Sequence, residues 1–186
     1  GLLDKYIGDA IMAVFGAPLD QPDHALRACR TAIDMMSELR RLREKWAAEG
    51  RPDVNIGVGV NTGDMVVGNM GSQMRFDYTV MGDSVNLASR LEGTNKEYKT
   101  NVIISEFTHE QIKDELFCRE LDSVQVKGKK LPIRIFELLG DRKEAAQWQG
   151  FVSRFEAGLD KYRTGLWDEA IAAFQSVLEI RPEDYP

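Results

Sequence analysis

The amino-acid order predicts an α+β domain, an antiparallel-rich sheet with helices on one face, followed by a C-terminal helical hairpin. Three observations predict it. Period-two alternation marks short strands on either side of Gly-Asp turns in the first 80 residues. One long helical stripe and one strand–turn–helix unit interrupt those strands, and beyond Ala145 only helical spacing remains.

In chain order, Leu2 to Ile7 and Ala10 to Phe15 read as strands joined at Gly8-Asp9, which leaves the Asp9 carboxylate at the tip of a turn. Pro22 to Glu49 reads as a helix, started near Asp20 or Asp23 and ended by Gly50 and Pro52. Its apolar stripe (Ala25, Ala28, Ala32, Met35, Leu39, Leu42, Trp46) is widened by Leu26, Cys29, Ile33 and Met36, so the helix is expected to cover a sheet rather than form a coiled-coil seam. Val54 to Gly63 alternates valine and isoleucine with glycine and asparagine, a strand with one small-residue face. That face would admit a nucleotide, a partner subunit or a closely packed helix. A turn at Gly63-Asp64 is expected to pair this strand with Met65 to Gly68, with a loop over Gly71 to Arg75. Phe76 to Val80 alternates again, and Val85, Ala88 and Leu91 then recur at helical spacing up to Gly93. After a polar loop come a strand at Val102 to Ser105, a helix at Glu106 to Asp114, and strands at Phe117 to Val126 and Ile133 to Leu139 around the basic turn Val126 to Lys130.

Composition is that of an ordinary globular protein, with 43% hydrophobic and 29% charged residues among 186. The formal net charge of -6 argues against a nucleic-acid surface, so an anionic ligand must be met by local cations. Cys29 and Cys118 sit in apolar periodic contexts without metal-ligand spacing and read as reduced thiols, compatible with the cytoplasm. No apolar run approaches the ~20 residues of a membrane span, so no membrane contact is expected within this chain. The full-length protein is left open to an N-terminal anchor. Entry straight into a strand pattern at Gly1 suggests an N-terminally truncated domain.

Phe76 to Gly93, FDYTVMGDSVNLASRLEG, carries the clearest chemistry. Asn86 and Arg90 lie four apart and project from one helix face, where an amide and a guanidinium can hold a phosphate or sugar oxygen together. A solvated face is the plain alternative. This stretch, together with LLDKYIGDAIMAVFGAP near the start, resembles the class III nucleotidyl cyclases, the adenylate and guanylate cyclase catalytic domain. The resemblance runs from about Gly1 to Gly140. It implies a ferredoxin-like core with added strands, acting as a homodimer with each site shared between two chains.

The resemblance also implies a reaction and its residues. ATP becomes cyclic AMP and pyrophosphate with two divalent ions, Mg²⁺ or Mn²⁺. Asp9 is a metal ligand, and the family's other metal-binding Asp falls on a preceding strand that this sequence lacks, so the fragment alone is expected to be inactive. Lys5 and Thr79 face the base, Lys127 contacts the phosphates, Asn86 orients the ribose and Arg90 stabilises the transition state. A Lys donor with a hydroxyl acceptor suits adenine, whose N1 accepts and whose 6-amino group donates. The Thr at position 79 points to the bacterial, soluble-type subclass. A basic turn at Lys127, Lys129 and Lys130 is otherwise an ordinary solvated hairpin tip, and Asp9 an ordinary turn residue.

Residues 141–150 read as a linker. Residues 151–184 match the 34-residue tetratricopeptide pattern through Ala157, Gly158, Tyr162, Gly165, Trp167, Ala170, Ile171, Phe174, Leu178 and Pro182. Gly158 and Ala170 are expected to let two helices approach, with Tyr162, Trp167 and Phe174 filling between them, as the first of several repeats that recruit a protein partner. Two functional classes stay open besides the enzyme: a cyclase-like module that binds nucleotide or dimerises without catalysis, and a scaffold in which the repeats matter.

Overall fold

The computed structural model describes residues 1–72, 75–125 and 132–186, with backbone alone for 71–72 and 75–77. Its elements run β1 (Leu2–Ile7), β2 (Ala10–Val14), α1 (His24–Ala48), β3 (Val58–Val60), β4 (Val66–Ser72), β5 (Arg75–Met81), α2 (Asp83–Tyr98), β6 (Val102–Ser105), α3 (Glu106–Ile112), β7 (Leu116–Val124), β8 (Ile133–Asp141), α4 (Ala146–Arg163) and α5 (Trp167–Leu178). Among the described residues the strands form three sheets. One is four-stranded, ordered β3-β6-β8-β7, and the other two are the two-stranded ribbons β1-β2 and β4-β5.

Alternation along β6 and β8 decides where the helices go. Val102, Ile104, Phe136 and Leu138 pack with Ala25, Cys29 and Ala32 of α1 and Ile112 of α3. Ile103, Ile133 and Ile135 point the other way and pack with Leu87 and Leu91 of α2. Helices therefore cover both faces, not the one face expected from sequence. The reason is visible in β6, whose four residues are all buried, as a strand must be when neither side meets water.

The small-residue strand differs from its expectation in length and partner. Only Val58–Val60 is strand, and it pairs in parallel with β6 rather than in a hairpin with Met65 to Gly68. A Cβ on Gly59 would fall 2.2 Å from the Ala88 carbonyl oxygen and 2.3 Å from the Glu92 nitrogen of α2. Close helix packing is thus what the glycine face serves. The hairpin is instead β4-β5, in antiparallel register from Val66↔Met81 to Ser72↔Arg75, across the stretch expected to be a loop.

Helix α2 also runs past Gly93 through the polar residues expected to form a loop. Asn95 explains why: it is buried, its Nδ2 donates to the Val58, Leu91 and Glu92 carbonyls at 3.1 Å, and its Oδ1 accepts from Thr100. A polar side chain so satisfied packs like an apolar one. The helix ends on Lys99 in the left-handed region, φ 49°.

After β8 the chain forms a short 3₁₀ turn at Arg142–Glu144 and enters α4 at Ala146. Helices α4 and α5 pair antiparallel, as contacts of Phe155 with Phe174 and Lys161 with Glu169 require. Gly158 makes room for them, since a Cβ there would sit 2.8 Å from the Phe174 ring. Tyr162 and Trp167 do not fill the seam. They meet edge to face beside the α4–α5 turn and stay largely exposed, while Phe151, Val152, Phe155 and Leu159 supply the core.

Arg119 of β7 ties this hairpin to the sheet. It is 1% exposed, donates to Glu137 of β8 at 2.6 and 3.0 Å and to Asp184 after α5 at 2.6 Å, and lies against the Phe155 ring. Cys29 and Cys118 are both free thiols. Among the described residues, no helix is long and apolar enough to cross a membrane.

Candidate active site

The β1-β2 ribbon ends in the Gly8-Asp9 turn, and Asp9 is exposed there. Its carboxylate is a hard oxygen donor of the kind Mg²⁺ or Mn²⁺ takes. Among the described residues no cluster of three or more His, Cys, Asp or Glu side chains forms a metal site, so Asp9 fits such an ion as one donor and does not complete a centre.

Further back, β1 is irregular. Leu3 pairs with Ala13 and Lys5 with Met12, so Asp4 is an extra residue between them. A bulge of this kind re-aims the side chain it carries. Asp4 is turned inward, with a side chain 2% exposed, and accepts a 2.7 Å hydrogen bond from Thr79 Oγ1 on β5. Lys5 Nζ lies 4.0 Å from the same Asp4 oxygen. The two residues expected at the base are therefore brought together, and an acid that sequence reasoning passed over joins them. Strand alternation placed Asp4 and Lys5 on opposite sides. The one available signal was a carboxylate directly before a lysine in an apolar run.

Leu2, Val14, Ala17, Val67 and Tyr78 line a narrow crevice with Asp4 and Thr79.

Thr79 is followed by Gly82, whose φ of 148° turns the chain from β5 into α2. One strand–turn–helix unit therefore carries Thr79, Asn86 and Arg90. The buried stripe of α2 is Leu87, Leu91 and Asn95, and Asn86 and Arg90 stand on its exposed side, one turn apart. Asp9 stands on the β1–β2 turn, on a different element from Asn86 and Arg90. Lys127 lies outside the described residues.

A cavity of about 390 Å³ lies elsewhere, between α3, β7, β8 and α4. Its cations are paired, Arg134 with Glu106 and Glu120, Arg163 with Glu120, and Lys113 with Glu110, and Glu156 and Asp160 line it as well. It belongs to the seat of the C-terminal hairpin and contains none of the residues above.

The profile of the family described as "Adenylate and Guanylate cyclase catalytic domain" matches residues 5–140. The chain is 38% identical over 191 residues to the terminal-differentiation specific adenylate cyclase of Dictyostelium discoideum, an alignment that takes in 100% of this chain and 9% of that protein. Among solved structures, the adenylyl cyclase CyaB from P. aeruginosa is 36% identical with a TM-score of 0.70, covering 77% of this chain and 74% of its own. The guanylyl cyclase Cya2 is 37% identical with a TM-score of 0.69, covering 77% and 72%. The chain thus spans under a tenth of the length of the Dictyostelium protein. With a family match across most of its length and a fold shared with two solved cyclases, the chain belongs to the adenylate and guanylate cyclase catalytic domain family.

Proposed function

We propose that this domain is the catalytic part of an adenylate cyclase, converting ATP to 3′,5′-cyclic AMP and pyrophosphate. The observation that carries the choice of base is the convergence of Lys5 and Thr79 on Asp4. Similarity to both an adenylyl and a guanylyl cyclase leaves the base to these side chains. An ammonium donor for N1 and a hydroxyl acceptor for the 6-amino group match adenine, whereas guanine offers a donor and an acceptor in the reverse order.

The reaction is attack of the ribose 3′-oxygen on the α-phosphorus, with loss of the hydroxyl proton and departure of pyrophosphate. Asn86 orients the ribose and Arg90 stabilises charge on the phosphoryl oxygens as it develops, with Lys127 adding a cation at the phosphates. Divalent ions held in part by Asp9, when bound, lower the pKa of the 3′-hydroxyl and screen the phosphates. Substrate phosphates and water would supply further oxygen ligands to such an ion. Apolar side chains exposed on both ribbons, among them Tyr6, Ile7, Ile11 and Met81, support a homodimer. The Thr at position 79 supports the bacterial, soluble-type subclass, and two free thiols with ATP as substrate support a cytoplasmic setting.

The α4–α5 hairpin reads as a tetratricopeptide unit that recruits a protein partner, supported by its spacing and by Gly158 and Ala170 at the seam. A second reading is a nucleotide-binding or dimerising module without turnover, since among the described residues no cluster of three or more ligating side chains accompanies Asp9. One experiment separates the two. Cyclic AMP and cyclic GMP are measured from the intact protein given ATP or GTP with Mn²⁺, beside Asp9→Ala and Lys5→Glu. Cyclic AMP that falls about 10³-fold in Asp9→Ala, with weakened preference for ATP in Lys5→Glu, supports the enzyme. No product from the intact dimer supports the module.

A further inference from the structure

A threonine hydroxyl has one proton and two lone pairs, and its neighbours decide which of these it presents to a ligand. In this chain the proton of Thr79 is directed at Asp4 Oδ2 over 2.7 Å, beside a narrow crevice lined by Val14, Val67 and Tyr78. Asp4 is the extra residue in the bulge between Leu3 and Lys5. The same oxygen lies 4.0 Å from Lys5 Nζ, close enough to draw the ammonium toward Thr79.

We propose that Asp4 is a specificity-determining positioning residue. It fixes Thr79 Oγ1 as an acceptor and holds Lys5 beside it as a donor, so that the pair takes a 6-amino purine and rejects a 6-oxo one. The inference rests on the assignment of Lys5 and Thr79 to the base. A guanine O6 would meet the lone pairs of Thr79, and its N1–H would meet the Lys5 ammonium, leaving two mismatched polar pairs. Without Asp4 the hydroxyl is free to rotate and to donate to O6, and the preference for adenine weakens.

The test compares selectivity rather than activity. Dissociation constants of 3′-deoxy-ATP and 3′-deoxy-GTP, which lack the attacking hydroxyl, are measured for the full chain and for Asp4→Ala, Asp4→Asn and Thr79→Val. Where product forms, kcat/KM for ATP and GTP is measured as well. Asp4→Ala is expected to lower the adenine-to-guanine ratio about tenfold or more. Asp4→Asn should hold it within about twofold, because an amide oxygen turned toward two donors replaces the carboxylate. Thr79→Val should lower the ratio like Asp4→Ala, and the double variant should lower it no further.

A ratio unchanged in a folded Asp4→Ala, even with both affinities reduced together, makes Asp4 a structural pin and overturns the inference. If Asp4→Ala does not fold, near-isosteric Thr79→Val decides, and selectivity retained there overturns it equally. Selective binding by the wild type without cyclic product removes the cyclase reading alone. Binding of neither nucleotide by the wild type removes both.

Discussion

The central sheet and the two ribbons beside it are built on opposite terms. In the sheet, β6 is buried along its whole length and Gly59 leaves no space for a methyl group against α2. On the ribbons, Tyr6 is 71%, Ile7 56%, Ile11 58% and Met81 57% exposed. Lys5, Asp9 and Thr79 all stand on those ribbons, while Asn86 and Arg90 stand on the outward side of α2. The sheet is thus closed by this chain's own helices, and the residues proposed for the chemistry stand beside apolar surface that the chain leaves uncovered. Loops and edges positioned by a rigid core are where function is expected to sit. Here the core holds the strand–turn–helix unit rigid by burying Leu87, Leu91 and Asn95 on its inner side.

Thermal stability of single variants breaks or sharpens this contrast. Gly59→Ala should destabilise by about 3 kcal/mol or more, because the clashing atoms are helix backbone rather than a side chain that swings away. A melting temperature unchanged by that variant would show the sheet to be looser than its packing.

An intermediate effect is expected from pH. Burial pushes the Cys29 thiol up to about 12 from its ordinary 9.0. The unfolded chain therefore loses this proton first as pH rises through 9, and the native state, which retains it, loses relative stability up to about pH 12. Between pH 9 and 10 the expected loss is about 1 kcal/mol, measured as a difference from Cys29→Ala, which should lack that component.

The smallest change in melting belongs to the ribbon. Ile7→Asp should alter monomer stability by no more than about 0.5 kcal/mol, yet abolish self-association in sedimentation. If it unfolds the chain instead, the ribbon is part of the core. If it leaves a dimer intact, the pairing surface lies elsewhere.

Much of the local structure was legible. Helix α1 emerged from its three-and-four spacing, and the β5–Gly82–α2 unit from a switch of period at a glycine. The ends of elements were less legible. Asn95 reads as loop in sequence because its type favours turns, but its amide replaces a core contact once Val58 and Thr100 are beside it. Tyr162 and Trp167 match a repeat pattern, yet they pair with each other at the surface because Phe155 and Phe174 already close the seam.

Sequence by itself determined the identities and spacing of Lys5, Asp9, Thr79, Asn86 and Arg90, along with the strands and helices that bear them, because those depend on residues three or four positions apart. Tertiary structure alone decided that β3 pairs with β6, that both faces of the sheet are covered, and that Arg119 is shared between Glu137 and Asp184. It also decided that a bulge turns Asp4 onto Thr79, 75 positions away. Such contacts join segments whose local patterns carry no record of one another, and the packing of the whole chain selects among them.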